Sequence, residues 1–115
     1  MKLTHLDKVF SAYMKLRAKN ICEYCGKPPD TWRGYQLHHF IRRRFHNTRW
    51  LEDNCACLCG KCHNELHSFA KLDHQFFARR VGDDRLDEMW KLARSGKKVD
   101  KQQLMEYYKE RLKEE

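Results

Sequence analysis

The sequence has no apolar run approaching the length of a membrane span, and its first twenty residues are too charged for a secretory signal. Internal repeats and low-complexity segments are also missing. With 35% charged residues and a mean hydropathy of −0.94, little apolar material is available for a core. These absences predict one small domain, residues 1–115, in the cytoplasm, where clustered cysteines more often bind metal than form disulfides.

Acidic residues are absent from the stretch 31–51, although the whole chain carries sixteen. Aromatic residues are interleaved there with five arginines, which predict a surface that binds phosphates: Arg33, Arg42, Arg43, Arg44 and Arg49. The formal charge of +8 and the pI of about 9.3 favour the same polyanionic partner, DNA. A solvated basic loop that covers buried aromatics is the alternative interpretation.

Apolar periodicity and capping residues predict a small α+β fold, with two short strands among helices. In chain order, we expect a helix at 4–19, whose first turn Thr4 and Asp7 could cap, strands at 35–41 and 54–58, and a helix from Cys62 onward. Three further helices are expected at about 73–80, stopped at Gly82, from Asp83 or Asp84 to Ser95, and from Asp100, which would be its cap.

Four of the six cysteines form two identical Cys-x-x-Cys units. Each unit places two thiolates where one zinc ion can bind both, so two units complete a tetrahedral site. A structural zinc ion is therefore predicted on Cys22, Cys25, Cys59 and Cys62. Unrelated buried thiols or a redox pair are the alternative, and two matched units in one short chain disfavour it. Cys55 and Cys57 alternate along a strand candidate and are interpreted as small apolar residues.

Four histidines flank the arginine-rich loop, two before it and two after it. His38 and His39 are adjacent in a strand candidate, whereas His63 and His67 are four residues apart and share one helix face. Three imidazoles from two elements could bind a second metal ion, and the fourth would be free to act as a base. Phosphodiester hydrolysis needs both functions, a base to deprotonate water and a cation to stabilise the departing oxygen.

These residues resemble the HNH (ββα-metal, His-Me finger) endonucleases. The matching segments are LHHF at 37–40, Asn54, and CLCGKCHNELH at 57–67. Their spacing is similar to that of the colicin DNases, and the cysteine units resemble those of the cysteine-containing HNH proteins. The resemblance implies a zinc-stapled ββα-metal core at 22–70, with the helix at 4–19 before it and a helical extension at 71–115 after it.

The same resemblance implies a role for each matched side chain. His39 would be the general base, Asn54 would order the loop and orient that base, and His38, His63 and His67 would bind a catalytic divalent metal ion. Such an all-imidazole set suits zinc, nickel, cobalt or manganese better than magnesium. This chain departs from the family pattern after the base, where IRRRFHNTRW replaces the usual proline and paired glycines.

A second resemblance covers nearly the whole chain. LDKVFSAYMKLRAKNICEYCG at 6–26, TRW at 48–50 and the helical tail at 76–112 are similar to the phage lambda Rap (NinG) recombination nucleases. This resemblance implies a phage or prophage origin and action on branched DNA in recombination.

The function predicted from the sequence is that of a metal-dependent DNA endonuclease with a one-metal HNH mechanism and low sequence preference. A non-catalytic zinc module that binds nucleic acid or protein is the alternative. Four cysteines complete a structural zinc site, so the histidines are surplus to folding. A toxin-like nuclease with an acidic immunity partner is a third hypothesis, based on the colicin-like spacing alone.

Overall fold

The computed structural model describes residues 3–28 and 34–114. Arg33, one of the five predicted phosphate-binding arginines, lies outside these ranges. Within them the order of elements is α1 (His5–Arg17), β1 (Tyr35–His39), α2 (His46–Arg49), β2 (Cys55–Cys59), α3 (Gly60–Ser68), α4 (Ala70–Val81), α5 (Asp83–Arg94) and α6 (Lys101–Glu114). The predicted α+β class is confirmed. No helix in the described part of the chain is long and apolar enough to cross a membrane.

The centre of the fold is an antiparallel hairpin followed directly by a helix. β1 pairs with β2 so that His38 lies opposite Ala56 and His39 opposite Cys55. All five residues of β2 are buried, Cys55 and Cys57 among them, as expected for small apolar residues. Because α3 begins immediately after β2, the hairpin and helix form the ββα unit that the resemblance to HNH endonucleases implied.

Helix α1 begins with a capping box. The Thr4 hydroxyl accepts a hydrogen bond from the Asp7 backbone N–H at 3.2 Å, and the Asp7 carboxylate accepts from the Thr4 N–H at 2.7 Å. Reciprocal bonds of this kind satisfy two N–H groups that have no partner inside the helix. The helix predicted at 4–19 is confirmed, shortened by one residue at its start and two at its end.

The segment between the strands differs from the predicted loop. The strand expected at 35–41 ends at His39, because the Asn54 side chain, rather than a strand partner, bonds both backbone groups of Ile41. The chain then forms the short helix α2 and a turn of 3₁₀ helix at Glu52–Asn54. Asn54 therefore precedes β2 instead of beginning it.

The C-terminal helices pack against the same core as the ββα unit. The Tyr108 hydroxyl of α6 donates a hydrogen bond to the Trp50 carbonyl at 2.7 Å, and its ring lies 4.8 Å from that of Phe10 in α1. Between α2 and α5, the Asn47 amide donates to the Leu92 carbonyl. These contacts attach the extension to both sides of the segment that joins the strands.

Candidate catalytic and metal sites

The two Cys-x-x-Cys units meet at one point. The Sγ atoms of Cys22, Cys25, Cys59 and Cys62 all lie within 4.8 Å of one another, and only Cys25 is exposed. Gly26 adopts a φ of 75° in the first unit and donates its N–H to the Cys22 carbonyl at 2.9 Å, which closes the turn. A set of four thiols at this separation fits a tetrahedral metal ion, so these residues could hold a structural one.

The backbone around Cys22 favours the thiolate that a metal ion requires. Burial alone would raise the pKa of this thiol, but backbone hydrogen bonds from Cys25, Cys59 and Tyr24 lower it to about 7. The loop geometry thus lowers the cost of deprotonating one ligand before a cation contributes.

The four predicted histidines line a single groove of about 980 Å³ between α1, β1 and α3. The cationic side chains that line the same groove are Lys8, Lys15, Arg42, Arg43 and Arg44. One carboxylate, Asp7, lines it too, so the charges around the imidazoles are mainly positive, which suits an anionic substrate.

His38 is 1% exposed and is held between two partners. Its Nε2 lies 2.8 Å from Oδ1 of Asp73 in α4, and its Nδ1 lies 3.1 Å from Nδ1 of His63. Because a carboxylate only accepts, Nε2 is the donor in this bond, and in the neutral tautomer that this bond selects Nδ1 carries the lone pair. A carboxylate in this position is the usual partner of a metal-binding histidine.

His63 and His67 are placed side by side on α3. Their rings stack with centroids 6.0 Å apart, and Nη1 of Arg42 lies 3.2 Å from the His67 Nδ1. Burial, followed by the nearby His38, His67 and Arg42, lowers the pKa of His63 and so favours the neutral ring that binds metal. The structure thus brings His38 and His63 into contact, while Arg42 contacts the third imidazole.

Among the described residues, the cysteine group is the one set of three or more ligand atoms that all lie within 4.8 Å of one another. The nitrogens of His38, His63 and His67 do not all meet at that distance. The predicted three-histidine ligand set is therefore assembled around one close pair, with His67 beside it.

His39 is held by the backbone. Its Nε2 lies 2.8 Å from the carbonyl oxygen of Arg49, which can only accept, so the proton resides on Nε2 and Nδ1 carries the free lone pair. Burial, with a smaller contribution from the charge of Arg43, lowers the pKa of His39 to about 4. The ring is therefore neutral at pH 7, the form in which it can accept a proton.

Asn54 is fully buried and fixes the loop that follows β1. Its Oδ1 accepts from the Ile41 N–H at 2.7 Å, and its Nδ2 donates to the carbonyls of Ile41 and Thr48, each at 3.0 Å. The hydrogen bonds of Asn54 do not include His39. It reaches that ring through the backbone, because Thr48 precedes Arg49, whose carbonyl binds the ring.

The predicted phosphate-binding arginines occupy two kinds of environment. Arg42, Arg43 and Arg44 line the groove, where a phosphate could reach them. Arg49 is 2% exposed, and its guanidinium donates to the Asp7 carboxylate of α1. Its placement therefore supports a structural role, and direct phosphate contact by Arg49 has no support from the fold.

Asp7 and Asp73 contact residues that were predicted to belong to the site, although neither carboxylate was assigned to it from the sequence. Asp7 binds the guanidinium of Arg49 and the indole N–H of Trp50 at 2.9 Å, although only its capping role was visible in the sequence. Asp73 binds His38 from a helix beyond the histidine pattern. Neither contact leaves a periodic signal, because each joins residues at least 35 positions apart.

Residues 22–69 match the family model described as HNH endonuclease. Over these residues the chain is therefore similar to HNH endonucleases. A similar curated protein is the type IV methyl-directed restriction enzyme EcoKMcrA of Escherichia coli (strain K12), which is 33% identical over 66 residues. That alignment covers 53% of this chain and 24% of the relative, so the chain matches about a quarter of that protein's length.

The family match and the restriction-enzyme relative both support a nuclease. The recognition of an HNH domain with clustered cysteines is thereby confirmed. The resemblance to the phage recombination nucleases stays a prediction.

Proposed function

We propose that this chain is a metal-dependent DNA endonuclease that hydrolyses phosphodiester bonds with one catalytic metal ion. The observation that carries the proposal is the convergence of His38, His39 and His63 on a single groove walled by arginine and lysine. A structural module that only bound DNA would not need a carbonyl-held imidazole with a free lone pair in that groove.

His38 and His63 are the residues that would hold the catalytic metal ion. Their Nδ1 atoms are 3.1 Å apart, close to the separation of about 3.3 Å expected for two nitrogens that bind one tetrahedral ion. His67 would complete the set by exchanging its contact with Arg42 for the cation. Such an ion, when bound, would neutralise charge on the phosphate and stabilise the departing oxygen.

His39 would act as the general base. Its Nδ1 would accept a proton from the attacking water, while the Arg49 carbonyl accepts the Nε2–H bond and so stabilises the imidazolium that forms. Asn54 would support this step as a positioning residue, since it fixes the turn from which the carbonyl projects. Arg42, Arg43 and Arg44 would bind the phosphates on either side.

The deciding experiment is plasmid nicking with Mg²⁺, Mn²⁺, Ni²⁺, Co²⁺ and Zn²⁺ in turn, for the parent protein and His39→Ala. We expect cleavage by the parent and a loss of roughly 10²–10⁴-fold in the variant, the usual contribution of a general base. Sulfur-bound metal content and circular dichroism should stay unchanged. His5→Ala, which removes an exposed histidine of α1, is the matched control and should retain full activity.

Two outcomes would contradict this proposal in different ways. Cleavage that persists in His39→Ala would remove the base assignment but leave a nuclease. Absence of cleavage with every metal, together with intact DNA binding, would favour the non-catalytic zinc module.

The finer features of the activity extend the same proposal. Arginines that bind phosphate do not read bases, so low sequence preference is expected, and the relative's methyl-directed specificity is not extended to this chain. The resemblance to phage recombination enzymes suggests branched DNA as substrate, and action in the host cytoplasm. Rates compared on linear, supercoiled and four-way-junction DNA test the substrate proposal, which equal rates on all three would contradict.

A further inference from the structure

A second basic cleft lies beside the histidine groove. It has a volume of about 430 Å³ and is formed by α2, the end of α5 and the segment that leads into α6. The charged or titratable side chains that line it are Arg44, His46, Lys97, Lys98 and Lys101. Its lining contains neither Asp nor Glu, so all of its charged side chains are cationic, which favours an anionic ligand.

The cleft and the groove are continuous through one residue. Arg44 lines both, so a polyanion bound in the groove would reach the cleft over a cationic side chain. The nearest acid along the chain, Asp100, is exposed, and its carboxylate is engaged at the start of α6, where it accepts the Gln103 N–H at 3.0 Å.

Lys97 and Lys98 are both exposed, and neither forms an ion pair within the described ranges 3–28 and 34–114. Lys101 differs, because its ammonium lies 5.7 Å from the centre of the Trp50 ring. Among the three lysines of the cleft, Lys97 and Lys98 are therefore the two whose charge is most available to a ligand, beside the exposed Arg44.

We propose that this cleft binds backbone phosphates of the DNA that flank the bond cut in the histidine groove, with Lys97 and Lys98 as the main contacts. The inference rests on the proposed nuclease function for its choice of ligand. Lysine ammonium groups suit this task because they act as mobile point charges and do not require one phosphate geometry.

The test compares Lys97→Ala/Lys98→Ala with Lys109→Ala/Lys113→Ala. Both double variants remove two exposed lysines and the same net charge, but the second pair lies on α6 outside the cleft. Binding of a fluorescein-labelled duplex would be followed by anisotropy without added metal, in a His39→Ala background so that no cleavage occurs.

Each phosphate contact contributes about 0.9 to the slope of log affinity against log salt, so we expect the cleft variant to lose about 1.8. The affinity lost between 50 and 200 mM salt then becomes roughly tenfold smaller than in the parent. The control pair should keep the parent slope. Equal slopes in the two double variants would overturn the proposal.

Cleavage kinetics separate this inference from the function on which it rests. With His39 present, Lys97→Ala/Lys98→Ala should raise KM and leave kcat unchanged, because the cleft acts on binding alone. If the parent cuts DNA and the salt slope of Lys97→Ala/Lys98→Ala equals that of the parent, the proposal for the cleft is wrong and the nuclease function stands. If the parent never cuts DNA but the slope falls, the cleft stands as a DNA-binding surface.

Discussion

His38 and His39 are neighbours in the sequence, yet their partners prepare them for different tasks. A carboxylate bound to Nε2 increases the basicity of the opposite nitrogen and suits His38 to a cation. A backbone carbonyl fixes the same tautomer in His39 without adding negative charge. The proposed difference between a metal ligand and a base would thus originate in Asp73 and in the Arg49 carbonyl, neither of which belongs to the histidine motif.

Replacing Asp73 tests this division at the level of a single hydrogen bond. Asp73→Ala should weaken binding of Co²⁺ or Ni²⁺ at the histidine site by about 10–100-fold, because His38 loses the group that orients it. Asp73→Asn keeps an acceptor and should recover part of the affinity. Calorimetry and the visible absorption of Co²⁺ report the change.

The exposed Asp84 of α5 provides the control for that experiment, since Asp84→Asn removes the same charge far along the chain from the site. Unchanged Co²⁺ binding and spectrum in Asp73→Ala would show that this carboxylate serves packing alone.

Asp7 connects the pH dependence of folding to one buried ion pair. Burial alone would raise its pKa, but hydrogen bonds from Arg49, Thr4 and Trp50 outweigh that effect and lower the pKa to about 2. A carboxyl whose pKa is lower in the folded state stabilises the fold above its unfolded pKa, near 3.8, and that stabilisation is lost as the pH falls towards 2. The shift corresponds to about 2 kcal/mol.

Asp7→Asn should therefore unfold more easily than the parent at pH 7, by about 3 kcal/mol, because Arg49 stays buried without its counter-charge. This difference should shrink by about 2 kcal/mol between pH 7 and pH 2, mostly below pH 4. Urea unfolding at a series of pH values measures it. A difference that is constant with pH would show that folding does not shift the pKa of this carboxyl.

At the level of elements, the sequence predicted the helix ends and turns that depend on residues close together in the chain. The Thr4–Asp7 capping box, Gly82 at the end of α4 and Asp100 at the start of α6 all act within a few residues, and the helices end where these signals lie. The two cysteine turns are equally local, and their short spacing made the shared metal site predictable.

The parts that sequence reasoning missed depend on contacts between distant segments. Helix α2 forms inside the predicted loop because Asn54 and α5 hold it through Thr48 and Asn47. The burial of Arg49 depends on Asp7, which lies 42 residues away. The charge pattern alone predicted that Arg49 binds phosphate like the arginines of the groove, because no residue near it in the sequence indicates a buried partner.

Helix α6 contributes to stability through one defined bond to the segment between the strands. Tyr108→Phe removes the hydroxyl that donates to the Trp50 carbonyl and leaves the ring in place, so a loss of about 1 kcal/mol is expected. Tyr107→Phe, at an exposed neighbouring ring, should cost much less. Denaturant unfolding distinguishes them, and equal losses would contradict the assigned role of this bond.

At the scale of the whole molecule, the cysteine site connects segments that are distant in the sequence. It ties the turn after α1 to the end of β2 and the first turn of α3. We expect removal of one structural zinc ion per chain by a strong chelator to unfold the protein, since such ions contribute about 10–16 kcal/mol in small domains.

Mass spectrometry of the native protein counts the ion, and near-ultraviolet circular dichroism follows the unfolding. Cys25→Ser should reproduce the unfolding caused by chelation, whereas Cys57→Ala, at a buried cysteine outside the site, should retain the metal. A chelated protein that kept its dichroism would show that the core folds without the ion.

Cys62 and His63 are consecutive residues of α3, so the sulfur site and the imidazole site share a single helical turn. A reagent that extracts an ion from the sulfur site is expected to distort the imidazole site as well, so inhibition by EDTA would report unfolding as readily as loss of a catalytic ion. Cobalt exchange offers a cleaner separation, because only an ion bound by thiolates gives thiolate-to-metal bands in the near ultraviolet. A screen for inhibitors of this protein should accordingly follow the cobalt spectrum as well as cut DNA.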